Sequence, residues 1–133
     1  MSLTQDLNTH SQEGNLVVLA MAAGSDIYGG ALVAVNAAGF ATQGVTATGL
    51  TYVGRAEEAV DNSAGTDADT TVSVLRKKAF KWKNEATDLI GQSSLFKTCY
   101  IVDDETVAAT DGAGTRSAAG TVIAIDSDGV WVE

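Results

Sequence analysis

The stretch from Thr71 to Lys83, T-V-S-V-L-R-K-K-A-F-K-W-K, decides how this chain folds. It holds five of the eight basic residues, which are Arg76, Lys77, Lys78, Lys81 and Lys83. The formal net charge of the whole protein is −9, so removing these five positive charges leaves −14 for the remainder. A strip this basic in an acidic chain must be neutralised, buried or bound by a partner.

The pattern of the basic strip fits two secondary structures. In a helix, one side would carry Val72, Leu75, Ala79 and Trp82. In a strand, Val72 and Val74 share a face with Phe80 and Trp82. The β-branched opening favours the strand, with those four side chains packed inward and Arg76 to Lys78 exposed. Because a flat strand of this length would span about 40 Å, we expect a bend or bulge near Leu75 to Lys78.

Composition points to a mainly β protein. Hydrophobic residues make up 45% of the 133 residues and aromatic residues only 6%, with 14 glycines and no proline. Short apolar runs separated by Gly, Asn and Asp recur about every ten residues, which is typical of an all-β domain. The sequence therefore predicts a small single-domain β-barrel or sandwich-like fold over residues 15–133, preceded by a flexible N-terminal arm over residues 1–14.

Local signals place the elements along the domain. Strands are expected at 16–22, 31–35, 40–45, 50–60, 96–102 and 106–109. One short helix is predicted from a cap at Asn84 through Leu89 and Ile90 to Gly91. A C-terminal hairpin joins residues 120–126 to 130–132, with Asp128 and Gly129 as its two-residue turn.

The single cysteine and the first apolar run argue against an intramolecular disulfide, a signal peptide and a membrane-spanning helix. Cys99 cannot form an intramolecular disulfide, and its apolar surroundings predict a buried free thiol. The run Leu16 to Gly24 has no basic residue before it and is too short to span a bilayer. We therefore expect a soluble protein made in the cytoplasm, and its acidity argues against general affinity for nucleic acid or membrane.

No residue pattern indicates an enzyme, a cofactor or a metal. The only histidine, His10, lies in the arm, and no phosphate-binding or nucleophile motif occurs. Glu57 with Glu58 would point to opposite faces of a strand, and Asp103 with Asp104 fits a turn. The acidic loop from Asp61 to Asp69 lacks the Gly and Glu spacing of a calcium loop, so a solvated hairpin loop is favoured.

Four stretches of the chain resemble the head decoration, or capsid cement, proteins of tailed bacteriophages, of the phage lambda type. They are A-L-V-A-V at 31–35, V-G-R-A-E-E-A-V-D-N at 53–62, T-T-V-S-V-L-R-K-K-A-F-K-W-K-N at 70–84 and A-G-T-V-I-A-I at 119–125. The resemblance implies a β-rich homotrimer on the virion, docked on the capsid exterior, where it braces neighbouring subunits of the major capsid protein of a phage or prophage.

The resemblance also assigns candidate contacts. In this family the arm orders on the capsid, a role that falls here to Leu7, Asn8, Thr9 and His10 within residues 1–14. The charge pattern itself, rather than the resemblance, predicts a second contact, to the capsid or to a neighbouring subunit, through Arg76, Lys77 and Lys78. One candidate partner for these cations is the Asp61 to Asp69 loop of another subunit.

Two other functions remain open from the residues. In an anion-binding or nucleic-acid-binding β module, the cations of residues 76–83 would contact phosphates and Trp82 would stack on bases. Another virion component, such as a tail part or a sugar-binding surface domain, fits the same composition.

Overall fold

A computed structural model describes residues 2–133, and it is mainly β, as the sequence predicts. The strands are β1 (Leu16–Ala20), β2 (Asp26–Ile27), β3 (Leu32–Val35), β4 (Ala41–Gln43), β5 (Thr51–Ala56), β6 (Val60–Asp61), β7 (Thr71–Leu75), β8 (Phe80–Asn84), β9 (Thr98–Ile101), β10 (Thr106–Ala108), β11 (Ala118–Asp126) and β12 (Gly129–Val132). No helix within residues 2–133 is both long enough and apolar enough to cross a membrane.

Five strands form an antiparallel sheet in the order β1, β7, β5, β3, β4. Its two edges meet at one point, where Met21 bridges Ala41 just beyond β1. The enclosed core is aliphatic and includes Met21, Ile27, Val33, Val72 and Val74. Small β-branched side chains fill this space, which agrees with the low aromatic content of the chain.

Five other strands close into a barrel in the order β10, β8, β12, β11, β9. Four of its five pairings are antiparallel, and β8 with β10 is the parallel one. Its core is richer in aromatic residues, with Phe80 and Trp82 beside aliphatic side chains. Cys99 lies fully buried there as a free thiol, which confirms the prediction.

Strand β3 lies between the two cores. Because successive side chains of a strand point to opposite faces, Leu32 and Ala34 join the barrel core while Val33 joins the sheet core. A second link is polar, since the indole N–H of Trp82 donates to the hydroxyl of Tyr52 at 3.2 Å. Strand β3 of the sheet therefore contributes side chains to the barrel core as well as to the sheet core.

The basic strip forms two strands and not the single bent strand that its length suggested. Strand β7 belongs to the sheet and β8 to the barrel, and the chain passes between them through residues 76–79. The break falls where a bend was predicted, and Lys77 has a left-handed backbone there, with φ of 62°. The inward faces are as predicted, with Val72, Val74, Phe80 and Trp82 buried.

The predicted helix from Asn84 to Gly91 is wrong. Asn84 ends β8 instead of capping a helix, and its side-chain amide bridges across a loop to Ile90. The Asn84 Oδ1 accepts the Ile90 N–H at 2.9 Å, and its Nδ2 donates to the Ile90 carbonyl at 3.0 Å. Asn favours loops as well as caps because its side chain imitates backbone groups. Within residues 2–133, the one helical segment is a 3₁₀ turn at Gln92–Ser94.

The C-terminal hairpin forms as predicted, but its turn lies one residue earlier. Asp126 pairs with Gly129, so Ser127 and Asp128 make the turn, and Gly129 begins β12. The Lys81 stem explains why Gly belongs in the strand. A Cβ at position 129 would lie 2.8 Å from Lys81 Cε, so only glycine leaves room for this side chain.

Candidate interaction surface

The three adjacent cations Arg76, Lys77 and Lys78, here called the basic cluster, occupy the crossing from the sheet to the barrel. Lys77 and Lys78 are exposed and Arg76 is half-buried, close to the placement that the sequence predicted. Across residues 2–133, no carboxylate comes within ion-pair distance of any of the three. This is notable in a chain with 17 acidic residues, because most positive charges would be expected to attract one.

The basic cluster holds the end of the arm. The Arg76 guanidinium donates to the Gly14 carbonyl at 2.9 Å, and the Arg76 backbone N–H donates to the Asn15 carbonyl at 2.8 Å. The Lys77 ammonium lies 3.0 Å from the position that a Cβ on Gly14 would occupy. Arg76 therefore fixes the point where residues 2–13 leave the domain, and Lys77 lies beside it. No local pattern predicts this contact, because Arg76 and Gly14 are 62 positions apart.

The predicted arm residues Leu7, Asn8, Thr9 and His10 are all exposed. Leu7 exposes 64% of its surface, and the Thr9 N–H donates to the Leu7 carbonyl at 3.1 Å. None of these four residues hydrogen-bonds to the basic cluster, whose contacts with the chain before β1 are made at Gly14 and Asn15. The cluster thus holds the base of the arm and makes no hydrogen bond to residues 7–10.

The other two cations of the strip are neutralised within the chain. The Lys81 ammonium lies 2.6 Å from a carboxylate oxygen of Asp128 and 3.4 Å from one of Asp126. The Lys83 ammonium lies 2.6 Å from Glu105, and hydrogen bonding to these carboxylates raises the pKa of both lysines. A strip of five cations thus becomes a cluster of three.

Trp82 is not available to stack on a base. It is 5% exposed, its ring packs 6.1 Å from that of Phe80 between centroids, and its N–H is bonded to Tyr52. Exposing it would require opening the barrel. The aromatic half of the nucleic-acid hypothesis is therefore wrong for this residue, although the three unpaired cations remain.

The carboxylates of the acidic loop, residues 61–69, accept hydrogen bonds from backbone N–H groups. Asp61 accepts the Ser63 N–H at 2.9 Å, Asp69 accepts the Thr66 N–H at 2.8 Å, and Asp67 accepts the Ala23 N–H at 2.8 Å. Hydrogen bonding from the Ser63 side chain and backbone lowers the pKa of Asp61, and hydrogen bonding from the Thr66 backbone and side chain lowers that of Asp69. Between residues 2 and 133, no three His, Cys, Asp or Glu side chains are grouped to hold a metal ion.

The carboxylate pairs noted in the sequence occupy separate environments. Glu57 pairs with Arg55 at 2.7 Å, while Glu58 accepts the Ser73 N–H at 3.1 Å. Asp103 and Asp104 follow β9 and line an open cleft of about 510 Å³ with Tyr28. Partial burial, with a smaller contribution from Asp103, raises the pKa of Asp104. Among the residues around this cleft there is no Ser, Cys, Thr or His to act as nucleophile or base.

Sequence reasoning missed one further group of residues. Arg55, Lys81 and Trp131 come from three different strands and meet at a smaller cleft of about 270 Å³. Only the pairing of β8 with β12 brings Lys81 beside Trp131, and such long-range pairing leaves no local pattern.

No family model, curated protein or solved structure matches this chain.

Proposed function

We propose that this protein is a capsid decoration protein of a tailed phage or prophage. It binds the outside of the head as a homotrimer and stabilises the shell by bridging subunits of the major capsid protein. It acts by binding, without catalysis. The four stretches that resemble this family support the proposal, as does the mainly β domain with an exposed arm.

One observation carries the proposal, namely the unpaired basic cluster at the base of the arm. In the part of the chain that the structure describes, these three adjacent cations pair with no carboxylate, so they are available to an acidic surface elsewhere. A single exposed ion pair is worth only about 0–1 kcal/mol. Repeated on every subunit of a symmetric shell, weak contacts of this kind add up through avidity.

The arm supplies the second contact of the proposed complex. Its described residues are exposed or nearly so, make few hydrogen bonds to the domain and include two leucines, Leu3 and Leu7, that face solvent. An extended segment of this kind binds by adding its backbone to a partner's sheet, with side chains seated in pockets. The cost of ordering it is met only when the partner is present.

Strand β1 is the surface best suited to a subunit contact. It lies at the edge of the sheet directly after the arm, and Leu16 and Val18 expose 54% and 65% of their surface. An apolar edge strand left open promotes uncontrolled pairing, so natural proteins cover or blunt it. Contact between copies in a trimer would cover these side chains.

The experiment uses expanded heads assembled from the major capsid protein of the phage or prophage proposed to encode this chain. We expect the full chain to cosediment with heads at saturation, and a chain that begins at Gly14 to lose most of that binding while keeping its thermal unfolding midpoint. Light scattering should give about 41 kDa, three chains of 13.6 kDa. Absence of head binding, with salt-sensitive binding to single-stranded DNA instead, would reject the proposal in favour of a nucleic-acid function.

A further inference from the structure

A second cleft, whose lining shares no residue with the arm, has the composition of a small-molecule site. It has a volume of about 270 Å³ and is lined by Gly30, Arg55, Phe80, Lys81, Trp82 and Trp131, among others. Sites for drug-sized ligands usually measure about 300–1,000 Å³, so this one suits a single small ring. The half-buried ring of Trp131 provides flat apolar surface for a ligand, whereas Phe80 and Trp82 line the cleft but are buried.

Both cations of the cleft are held in place by stacking and ion pairing. The Arg55 guanidinium lies 5.0 Å from the Phe80 ring centroid and 2.7 Å from the Glu57 carboxylate. The Lys81 ammonium lies 6.0 Å from the Trp131 ring centroid, between the Asp126 and Asp128 carboxylates. Groups fixed before binding lose little entropy when a ligand arrives.

Trp131 is fixed by the same network. Its indole N–H donates to Asp126 at 2.8 Å, and Lys81 lies directly opposite it in the pairing of β8 with β12. The Lys81 stem is in turn seated against Gly129, where any Cβ would collide with it. The half-buried Trp131 ring is thus a rigid wall of the cleft.

The charges around the cleft argue against an ionic ligand. Arg55 and Lys81 are offset by Glu57, Asp126 and Asp128, so the nearest groups carry two positive and three negative charges. A free anion would compete with carboxylates that are already bound, and a cation would meet two fixed positive groups. Ionised donors and acceptors with spare hydrogen-bonding capacity nevertheless form strong hydrogen bonds to neutral hydroxyl groups.

We propose that this cleft binds one neutral sugar ring. The apolar face of the ring would pack on Trp131, and its hydroxyls would bond to Arg55, Lys81 and the carboxylates that hold them. This inference is independent of capsid binding, because the cleft shares no residue with the basic cluster or the arm.

Tryptophan emission and amide NMR spectra test the site directly. The full chain is titrated with glucose, galactose, mannose and N-acetylglucosamine, each to about 100 mM, and with glucuronate and inorganic phosphate as anions. At least one neutral sugar should give a saturable change, weakened about tenfold or more in Trp131→Ala. The matched control is Phe96→Ala, which removes an exposed aromatic ring outside the cleft and should bind as the native chain does.

Two further measurements keep the test independent of how Trp131→Ala folds. In the native chain, the sugar should shift the Trp131 indole N–H resonance more than that of Trp82, which is bonded to Tyr52. Lys81→Met keeps the stem over Gly129 but removes the ammonium, and it should weaken sugar binding about fivefold. No saturable change with any neutral sugar, shifts that map away from the cleft, or tighter binding of either anion would overturn the proposal.

Discussion

The Arg76 guanidinium donates a hydrogen bond of 2.9 Å to the carbonyl of Gly14, joining the basic cluster to the end of the arm. The basic cluster is therefore tied to the base of the arm, while residues 7–10, the other candidate contact group, make no hydrogen bond to it. A partner that binds the arm near its base lies within reach of the three unpaired cations.

Replacing Lys77 by glycine is expected to change the stability of the chain and its binding to heads in opposite directions. The residue has φ of 62°, a conformation that costs a non-glycine residue roughly 1–2 kcal/mol. Lys77→Gly should therefore raise the free energy of unfolding by up to about 1 kcal/mol, after the greater freedom of glycine in the unfolded chain is counted. It should also weaken head binding, because one cation is lost. Urea unfolding and cosedimentation measure the two effects.

Lys78→Gly is the matched control, since it removes the same charge at a position outside the left-handed region. It should lower the free energy of unfolding slightly and weaken binding to a similar degree. If both variants change stability in the same direction, the left-handed backbone at Lys77 is not strained.

The side chain of Asn84 stabilises the loop after β8. Asn84→Ala removes both hydrogen bonds to Ile90 and leaves the N–H and carbonyl of a buried residue without these partners. We expect a loss of about 1–3 kcal/mol in the free energy of unfolding, with an unchanged denaturant slope. Thr87→Ala, in the exposed part of the same loop, should change it by less than about 0.5 kcal/mol. Equal effects of the two substitutions would show that the bridge is unimportant.

Burial of Cys99 predicts loss of stability at alkaline pH. Desolvation raises the pKa of its thiol from 9.0 to about 11. The folded state therefore holds this proton more tightly than the unfolded state, and the associated stability, present below pH 9, is lost as the pH rises towards 11. The loss is at most about 3 kcal/mol.

Cys99→Ala should flatten the stability profile between pH 9 and 11, because it removes the titrating thiol. Burial raises the pKa of Tyr52 from 10.0 to about 12, so its contribution is lost as the pH rises from 10 towards 12 in both proteins, and Cys99→Ala reduces the loss between pH 9 and 11 without abolishing it. Chemical denaturation at a series of pH values gives the comparison. Parallel loss in the native chain and the variant would exclude Cys99 as the cause.

Much of the fold follows from local pattern. The alternation of apolar and polar residues predicted the buried positions Val72, Val74, Phe80 and Trp82. It could do so because every second side chain of a strand points to the same face. The division of the strip into two strands was not predictable, since its turning point uses Lys77 where a left-handed residue is usually glycine or asparagine. The helix predicted from Asn84 was wrong because an asparagine side chain can either cap a helix or hydrogen-bond across a loop.

The candidate surface was predictable only in part. The charge cluster at 76–78 is visible in the sequence, as is the polar arm before the first strand. Which lysines stay unpaired depends on pairings between distant residues, such as Lys81 with Asp128 and Lys83 with Glu105. Residues that are distant in the sequence also form the contact between Arg76 and Gly14 and the cleft beside Trp131. Neither feature therefore has a local sequence pattern.

Reversing the charge of the basic cluster tests the central claim most directly. The double variant Lys77→Glu and Lys78→Glu is compared with Lys97→Glu, which reverses an exposed lysine that is likewise outside the observed ion pairs. The measurement is saturation of expanded heads by cosedimentation, with unfolding midpoints as the check on folding. We predict that the native chain and Lys97→Glu saturate the heads while the double variant binds at least about tenfold more weakly. Equal binding by all three proteins would contradict the account.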